Sequence, residues 1–247
     1  MTTLNIGGIL DHSTIDYPER VCAVVYTCGC PFRCPWCQNR NLVLEKNCRN
    51  VPIEKIVDEL KKNFLISAVC ITGGEPLMQN SVLKLVRKLK SETKLKVKVD
   101  TNMYFPELLE KVLPHLDFLS VDLKAPLDRS YARVVGLEKL DMKKIGKSLE
   151  IIRIWEKPKE ARTTIVPGLV DSEKQIENIA KAVKKFNFDF FTLQQFVPQT
   201  TLDEKFENLK SPSHAKLLKL GRVAKGILPD AEVRIVTLEN GFEEIQL

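Results

Sequence analysis

The sequence predicts an α/β fold, a partial (β/α)6 TIM-like barrel led by a short N-terminal hairpin. Two observations carry this. Short β-rich runs alternate with amphipathic helical runs along the 247 residues, which implies parallel strands joined by right-handed crossovers. The alternation gives roughly six to seven βα units, short of the eight of a complete barrel. Chemistry-bearing residues also recur directly after the strand-like runs, where parallel α/β folds place their ligands.

The elements follow in order. Residues 1–20, with Gly7-Gly8 and Pro18, form a hairpin or loop leading into the first strand. Val21–Thr27 is that strand. Pro52–Phe64 sets Ile53, Ile56, Val57, Leu60 and Phe64 on one helical stripe, with Pro52 suited to a first turn. Ala68–Ile71 is a short buried strand, and Ser81 is placed to cap a helix carrying Val82, Leu85, Val86 and Leu89. Leu95–Asp100 is a strand, Pro106–Leu113 a helix and Phe118–Leu123 a strand. Met142–Ile154 is a helix with Met142, Ile145, Leu149 and Ile152 on one face. Arg162–Val166 is a strand, and a helix runs from about Ser172 to Lys185. Phe190–Phe196 is a strand, Ser211–Ile227 a helix and Val233–Val236 a last strand. No repeat or linker interrupts the pattern, so a single domain over 1–247 is expected, with 21–240 as the barrel core.

Composition excludes several classes. Apolar residues are 44% and charged residues 28%, ordinary for a globular chain with a core. No run of 18 apolar residues exists, and the N-terminus lacks a basic and apolar leader, so a cytoplasmic protein without membrane association is expected. Net charge is +6, from 38 basic and 32 acidic residues. No basic stripe interleaved with aromatics is visible, which argues against nucleic acid as a partner. The helical lysines, such as Lys84, Lys88 and Lys90, suit solvated faces. Seven cysteines weighted to the N-terminal half suit a reducing compartment and a metal better than a disulfide framework.

Cys30, Cys34 and Cys37 are the most informative residues. At C-x3-C-x2-C spacing, three thiolates can hold three irons of a four-iron cluster and leave the fourth iron open for chemistry. Cys28 keeps an alternative alive: four thiolates over 28–37 would suit a closed zinc site, or Cys28 is simply a small apolar residue ending a strand. No second C-x2-C knuckle exists to complete the usual zinc pattern. Cys22, Cys48 and Cys70 are expected to be structural.

Thr72-Gly73-Gly74-Glu75-Pro76 follows the second strand. It is either a plain glycine turn or a loop whose carbonyls approach a ligand closely, with Glu75 fixing it. Asp100-Thr101-Asn102 ends the third strand and offers oxygens for a ribose or a cation. Asp122 and Lys124 share a strand face and are either a surface pair or, with Lys124, a carboxylate-binding position. Trp36 shields the cysteine loop.

Together these motifs resemble the radical S-adenosylmethionine (SAM) enzymes, and more narrowly the glycyl-radical-enzyme activases. The opening Ile6-Gly7-Gly8-Ile9-Leu10-Asp11-His12-Ser13-Thr14-Ile15-Asp16-Tyr17-Pro18 is similar to the lead-in of the activating proteins of anaerobic ribonucleoside-triphosphate reductase. So are Arg162–Pro167 and Leu193–Pro198. The resemblance implies one [4Fe–4S] cluster on Cys30, Cys34 and Cys37. It implies SAM held by Trp36, Gly73, Gly74, Glu75, Asn102, Lys124, Ile165 and Val166, and a monovalent cation at Asp100, Thr101 and Asp122. The implied activity is reductive cleavage of SAM to a 5′-deoxyadenosyl radical that makes a glycyl radical on a partner enzyme. The electron would come from a low-potential donor such as ferredoxin or flavodoxin. Another radical SAM enzyme, acting in deazapurine synthesis or tRNA modification, shares most of these motifs; a zinc-stabilised binding module is the distant alternative. Met103 stands where the pattern has glycine, which puts the local turn in doubt.

Overall fold

The computed structural model describes residues 2–246. Its elements are β1 (Thr3–Ser13), β2 (Cys22–Thr27), α1 (Arg40–Val43), β3 (Arg49–Pro52), α2 (Ile53–Lys62), β4 (Ala68–Gly73), α3 (Ser81–Glu92), β5 (Lys96–Thr101), α4 (Pro106–Val112) and β6 (Phe118–Asp122). They continue with α5 (Ser130–Val134), α6 (Met142–Arg153), β7 (Lys159–Ile165), α7 (Glu173–Lys185), β8 (Phe190–Gln195), α8 (His214–Ile227), β9 (Glu232–Thr237) and β10 (Gly241–Glu244). Among the described residues, no helix is long and apolar enough to cross a membrane.

The chain packs as two compact units, each drawn from several chain segments. The first comprises residues 1–31, 39–120 and 155–157, the second 32–38, 121–154 and 158–247. Strands of the first run in the order β3-β1-β2-β4-β5-β6, those of the second β6-β7-β8-β9-β10, the division falling within β6.

In the first unit, β1 pairs antiparallel with β2 and β3, while β2, β4 and β5 pair in parallel. The N-terminal hairpin is thus a full strand of 11 residues, more regular than a loop lead-in. Helices α2 and α3 bury the predicted stripes Ile53, Ile56, Val57, Leu60 and Val82, Leu85, Val86, Leu89. Phe64 departs from its expected place on the stripe. The helix stops at Lys62, Asn63 turns extended, and Phe64 is 91% exposed. Ser81 is the first helical residue of α3 and not a side-chain cap.

In the second unit, β7, β8 and β9 pair in parallel and β10 adds an antiparallel edge to β9. Helix α6 buries Ile145, Leu149 and Ile152, while Met142 at its first position is only half-buried. Helix α7 opens with a capping box in which Ser172 and Gln175 satisfy each other's backbone N–H groups. The short elements α1, β3, α5 and β10 have too few residues to show a period and are legible only in the folded chain.

Candidate active site

The loop after β4 is built on close backbone contact. Gly74 N–H donates to the Thr27 carbonyl at 2.8 Å, and Glu75 N–H to the Gly29 carbonyl at 2.8 Å. A Cβ on Gly73, at φ +122°, would lie 2.3 Å from the Thr27 carbonyl oxygen, and one on Gly74 2.0 Å from that of Gly29. Only glycine permits this approach. The pair therefore joins this loop to the segment leading into Cys30, a role the plain-turn reading did not contain.

Glu75 is 1% exposed and fully engaged. Its Oε1 accepts from the Thr101 hydroxyl at 2.7 Å and from Leu77 N–H at 3.0 Å, and its Oε2 from Asn102 N–H at 2.6 Å. One carboxylate thus fixes the ends of β4 and β5 to each other. Asn102 Nδ2 lies 3.6 Å from the Cys30 sulfur. Met103 adopts the left-handed backbone that favours glycine: it sits at φ +66° with its side chain fully buried and its N–H donated to Thr101 Oγ1 at 3.0 Å.

Two residues outside the sequence-derived site also shape this unit. Gln79 Nε2 donates to the carbonyls of Asn5 at 2.9 Å and Cys28 at 3.0 Å, while its Oε1 accepts from Asn5 N–H. Asn39 Nδ2 donates to the Gly73 carbonyl at 2.9 Å. A polar residue gives no single-sequence signal for such a role.

The second unit holds Cys34, Trp36 and Cys37 on a loop pinned from several sides. Arg33 N–H donates to the Val135 carbonyl, Asp203 N–H to that of Pro35, and Gln38 Nε2 to that of Val197. Cys37 N–H donates to the Cys34 carbonyl at 3.0 Å. The Trp36 indole N–H reaches the Val134 carbonyl at 3.3 Å. Lys124 Nζ stands 5.1 Å from the centre of the Trp36 ring and 3.2 Å from Asp122 Oδ2.

Arg162 brings a second cation to Asp122, with Nη2 3.2 Å from Oδ1; sequence reasoning placed it in a strand and a family-like motif but gave its side chain no role. Burial works against charge on both Asp122 and Lys124, but their mutual attraction prevails. Lys124 and Arg162 hold the Asp122 carboxyl below its usual range, and Asp122, then Cys34, hold the Lys124 ammonium above its own. Tyr131 closes the network, its hydroxyl donating to the Asp122 carbonyl and accepting from Lys124 N–H. Ile165, which ends β7, and Val166, which follows it, are both fully buried.

The cysteines do not form a disulfide framework, but one pair is bridged. Cys28 and Cys48 are joined, with their Cα atoms 6.3 Å apart, because the strand pairing of β1 with both β2 and β3 brings the two segments together. This also removes Cys28 from any four-thiolate zinc site. Cys30, Cys34 and Cys37 remain thiols. Among the described residues, no three His, Cys, Asp or Glu side chains gather closely enough to hold a metal ion. Free thiols are soft donors, and in chemical type each suits thiolate-bound iron better than a hard ion.

Comparison with known proteins shows the family. The sequence profile of the radical SAM superfamily matches residues 24–183, and the chain belongs to that superfamily. It is an enzyme whose fold is the partial (β/α)6 TIM-like barrel, and its family works with a [4Fe–4S] cluster and SAM. Within the superfamily, the chain is 35% identical over 246 residues to a Methanocaldococcus jannaschii protein named as a glycyl-radical enzyme activating enzyme. That alignment covers 97% of this chain and 98% of the other. It is 27% identical over 238 residues to the pyruvate formate-lyase-activating enzyme of Clostridium pasteurianum, covering 90% of this chain and 98% of that one. Its fold resembles a radical SAM methyltransferase from Sphaerobacter thermophilus, with a TM-score of 0.69 and 18% identity over 89% of this chain and 67% of that one.

Proposed function

We propose that this enzyme generates a glycyl radical on a partner enzyme, and that the partner is an anaerobic ribonucleoside-triphosphate reductase. The observation that carries the activase reading is the full-length 35% identity to a protein named for that activity. The choice of partner rests on the Ile6–Pro18 lead-in, which occupies β1 and the turn after it.

Cys30, Cys34 and Cys37 are the residues that would hold the [4Fe–4S] cluster. When bound, that group would supply the single electron for reductive cleavage of SAM to methionine and a 5′-deoxyadenosyl radical, the species that would take a hydrogen atom from a glycine Cα of the partner and become 5′-deoxyadenosine. The electron would come from a low-potential donor such as ferredoxin or flavodoxin. The chain's own residues position and shield. Lys124, kept charged by Asp122, would meet the SAM carboxylate; the Gly73 and Gly74 carbonyls would accept from its amino group; Trp36, Ile165 and Val166 would flank the adenine. Glu75 would hold the loop rather than touch the ligand, since both its oxygens are engaged.

The test is EPR of the anaerobically reconstituted, reduced protein mixed with SAM and the purified reductase. A glycyl-radical doublet on the reductase supports the proposal. A doublet only when pyruvate formate-lyase is supplied instead would overturn the choice of partner. SAM cleavage without a radical on either would overturn the activase reading.

A further inference from the structure

We propose that Lys98 is a built-in counter-cation for Asp100, so that this chain uses its own ammonium where its resemblance implies a monovalent metal ion. Asp100 ends β5 beside Thr101 and Asn102 and is 6% exposed. A carboxylate taken out of water needs a compensating positive charge, from a bound ion or from the protein itself.

Strand β5 supplies the second. Side chains alternate across a strand, so Lys98 lies on the face of Asp100, two residues earlier. It is 2% exposed, and its Nζ stands 2.7 Å from Asp100 Oδ1. The contact is an ion pair lying off the direction of an aligned hydrogen bond. The same ammonium donates to the Asp16 carbonyl at 2.7 Å and faces the Cys70 sulfur at 3.8 Å, Cys70 being its register partner on β4.

A carboxylate oxygen and a backbone carbonyl are the donors a hard cation would choose. Here Lys98 already occupies them. A metal ion at the same oxygens would meet a like charge held in place by three contacts. Asp122, the other carboxylate that the resemblance gives to a cation, carries Lys124 and Arg162. The donor set therefore does not fit a monovalent ion, and Lys98 takes the place of one.

The activity arm of the test rests on the radical SAM reading; the stability arm does not. Wild type, Lys98→Met and Lys98→Met/Asp100→Asn are compared in potassium, sodium and choline chlorides at equal ionic strength. SAM cleavage is read by 5′-deoxyadenosine formation and stability by thermal unfolding. Wild type should differ by less than twofold in cleavage among the three salts, with the same unfolding temperature. Lys98→Met should be at least fivefold slower in choline than in potassium or sodium. Its unfolding temperature should rise with the metal salts, and the double variant should lose that response. A wild type that needs potassium or sodium overturns the proposal, as does a folded Lys98→Met indifferent to the cation. If Lys98→Met does not fold in any salt, the wild-type comparison and a Lys98→Arg variant decide: salt dependence in either overturns it, and indifference in both supports it.

Discussion

Asn102 donates its backbone N–H to Glu75 Oε2 at 2.6 Å, tying the end of β5 to the turn after β4. The same carboxylate also receives Thr101 Oγ1 and Leu77 N–H, so three donors depend on one buried side chain. Glu75→Ala should cost about 3 kcal/mol, since it leaves buried donors without an acceptor. Glu75→Gln, which keeps one acceptor oxygen, should cost less than half of that. Urea unfolding of the two variants beside wild type checks the order; equal losses would mean the carboxylate does not hold the turn.

Met103 poses a contest between strain and burial. Its left-handed backbone costs about 1–2 kcal/mol relative to glycine, while deleting a buried methionine side chain costs about 2–5 kcal/mol. Burial should win, and Met103→Gly should lower stability by about 1–3 kcal/mol. A stabilised variant would show that the side chain contributes little packing.

Lys124→Ala should weaken SAM binding about tenfold or more, roughly 1.4 kcal/mol, with little change in iron content. Equilibrium dialysis with labelled SAM on the reconstituted protein measures it. Unchanged affinity would remove Lys124 from the SAM site.

The cysteines should separate into groups. Cys34→Ala should abolish both cluster loading and SAM cleavage, whereas Cys48→Ser should leave iron per chain unchanged. The latter opens a cross-link whose partners are 20 residues apart, and should cost the oxidised protein about 3 kcal/mol of stability. Iron assays and unfolding curves with and without reductant test both statements. Loss of iron from Cys48→Ser would return Cys28 to the ligand set.

Stability should also fall in alkali. Burial, reinforced by Asp117, pushes the Tyr17 hydroxyl up to about 12, and burial with Asp16 pushes the Cys22 thiol up to about 11. Both groups have folded values above their unfolded ones. Their contribution is whole below about pH 9 and disappears as pH rises through 11 to 12. The urea midpoint of a Cys22→Ala variant should fall less steeply over that window than that of wild type; parallel curves would show that Cys22 does not contribute.

The sequence by itself determined the superfamily, the strand–helix alternation and the spacing of the three cysteines proposed to hold the cluster. Hydrophobic period and local motif spacing are properties of neighbouring residues, and α2, α3 and α7 fall close to where their apolar stripes place them. The tertiary structure decided what depends on distant residues. Cys28 meets Cys48 only because β1 pairs with both β2 and β3. Gly73 and Gly74 are needed because the chain of Thr27 and Gly29 lies against them. Phe64 leaves its stripe because Asn63 ends the helix one residue earlier. The side chains of Arg162 and Lys98 have no readable role until strand pairing and side-chain alternation set them beside Asp122 and Asp100. A charge's role is fixed by what surrounds it after burial, and one chain read in order does not contain that neighbourhood.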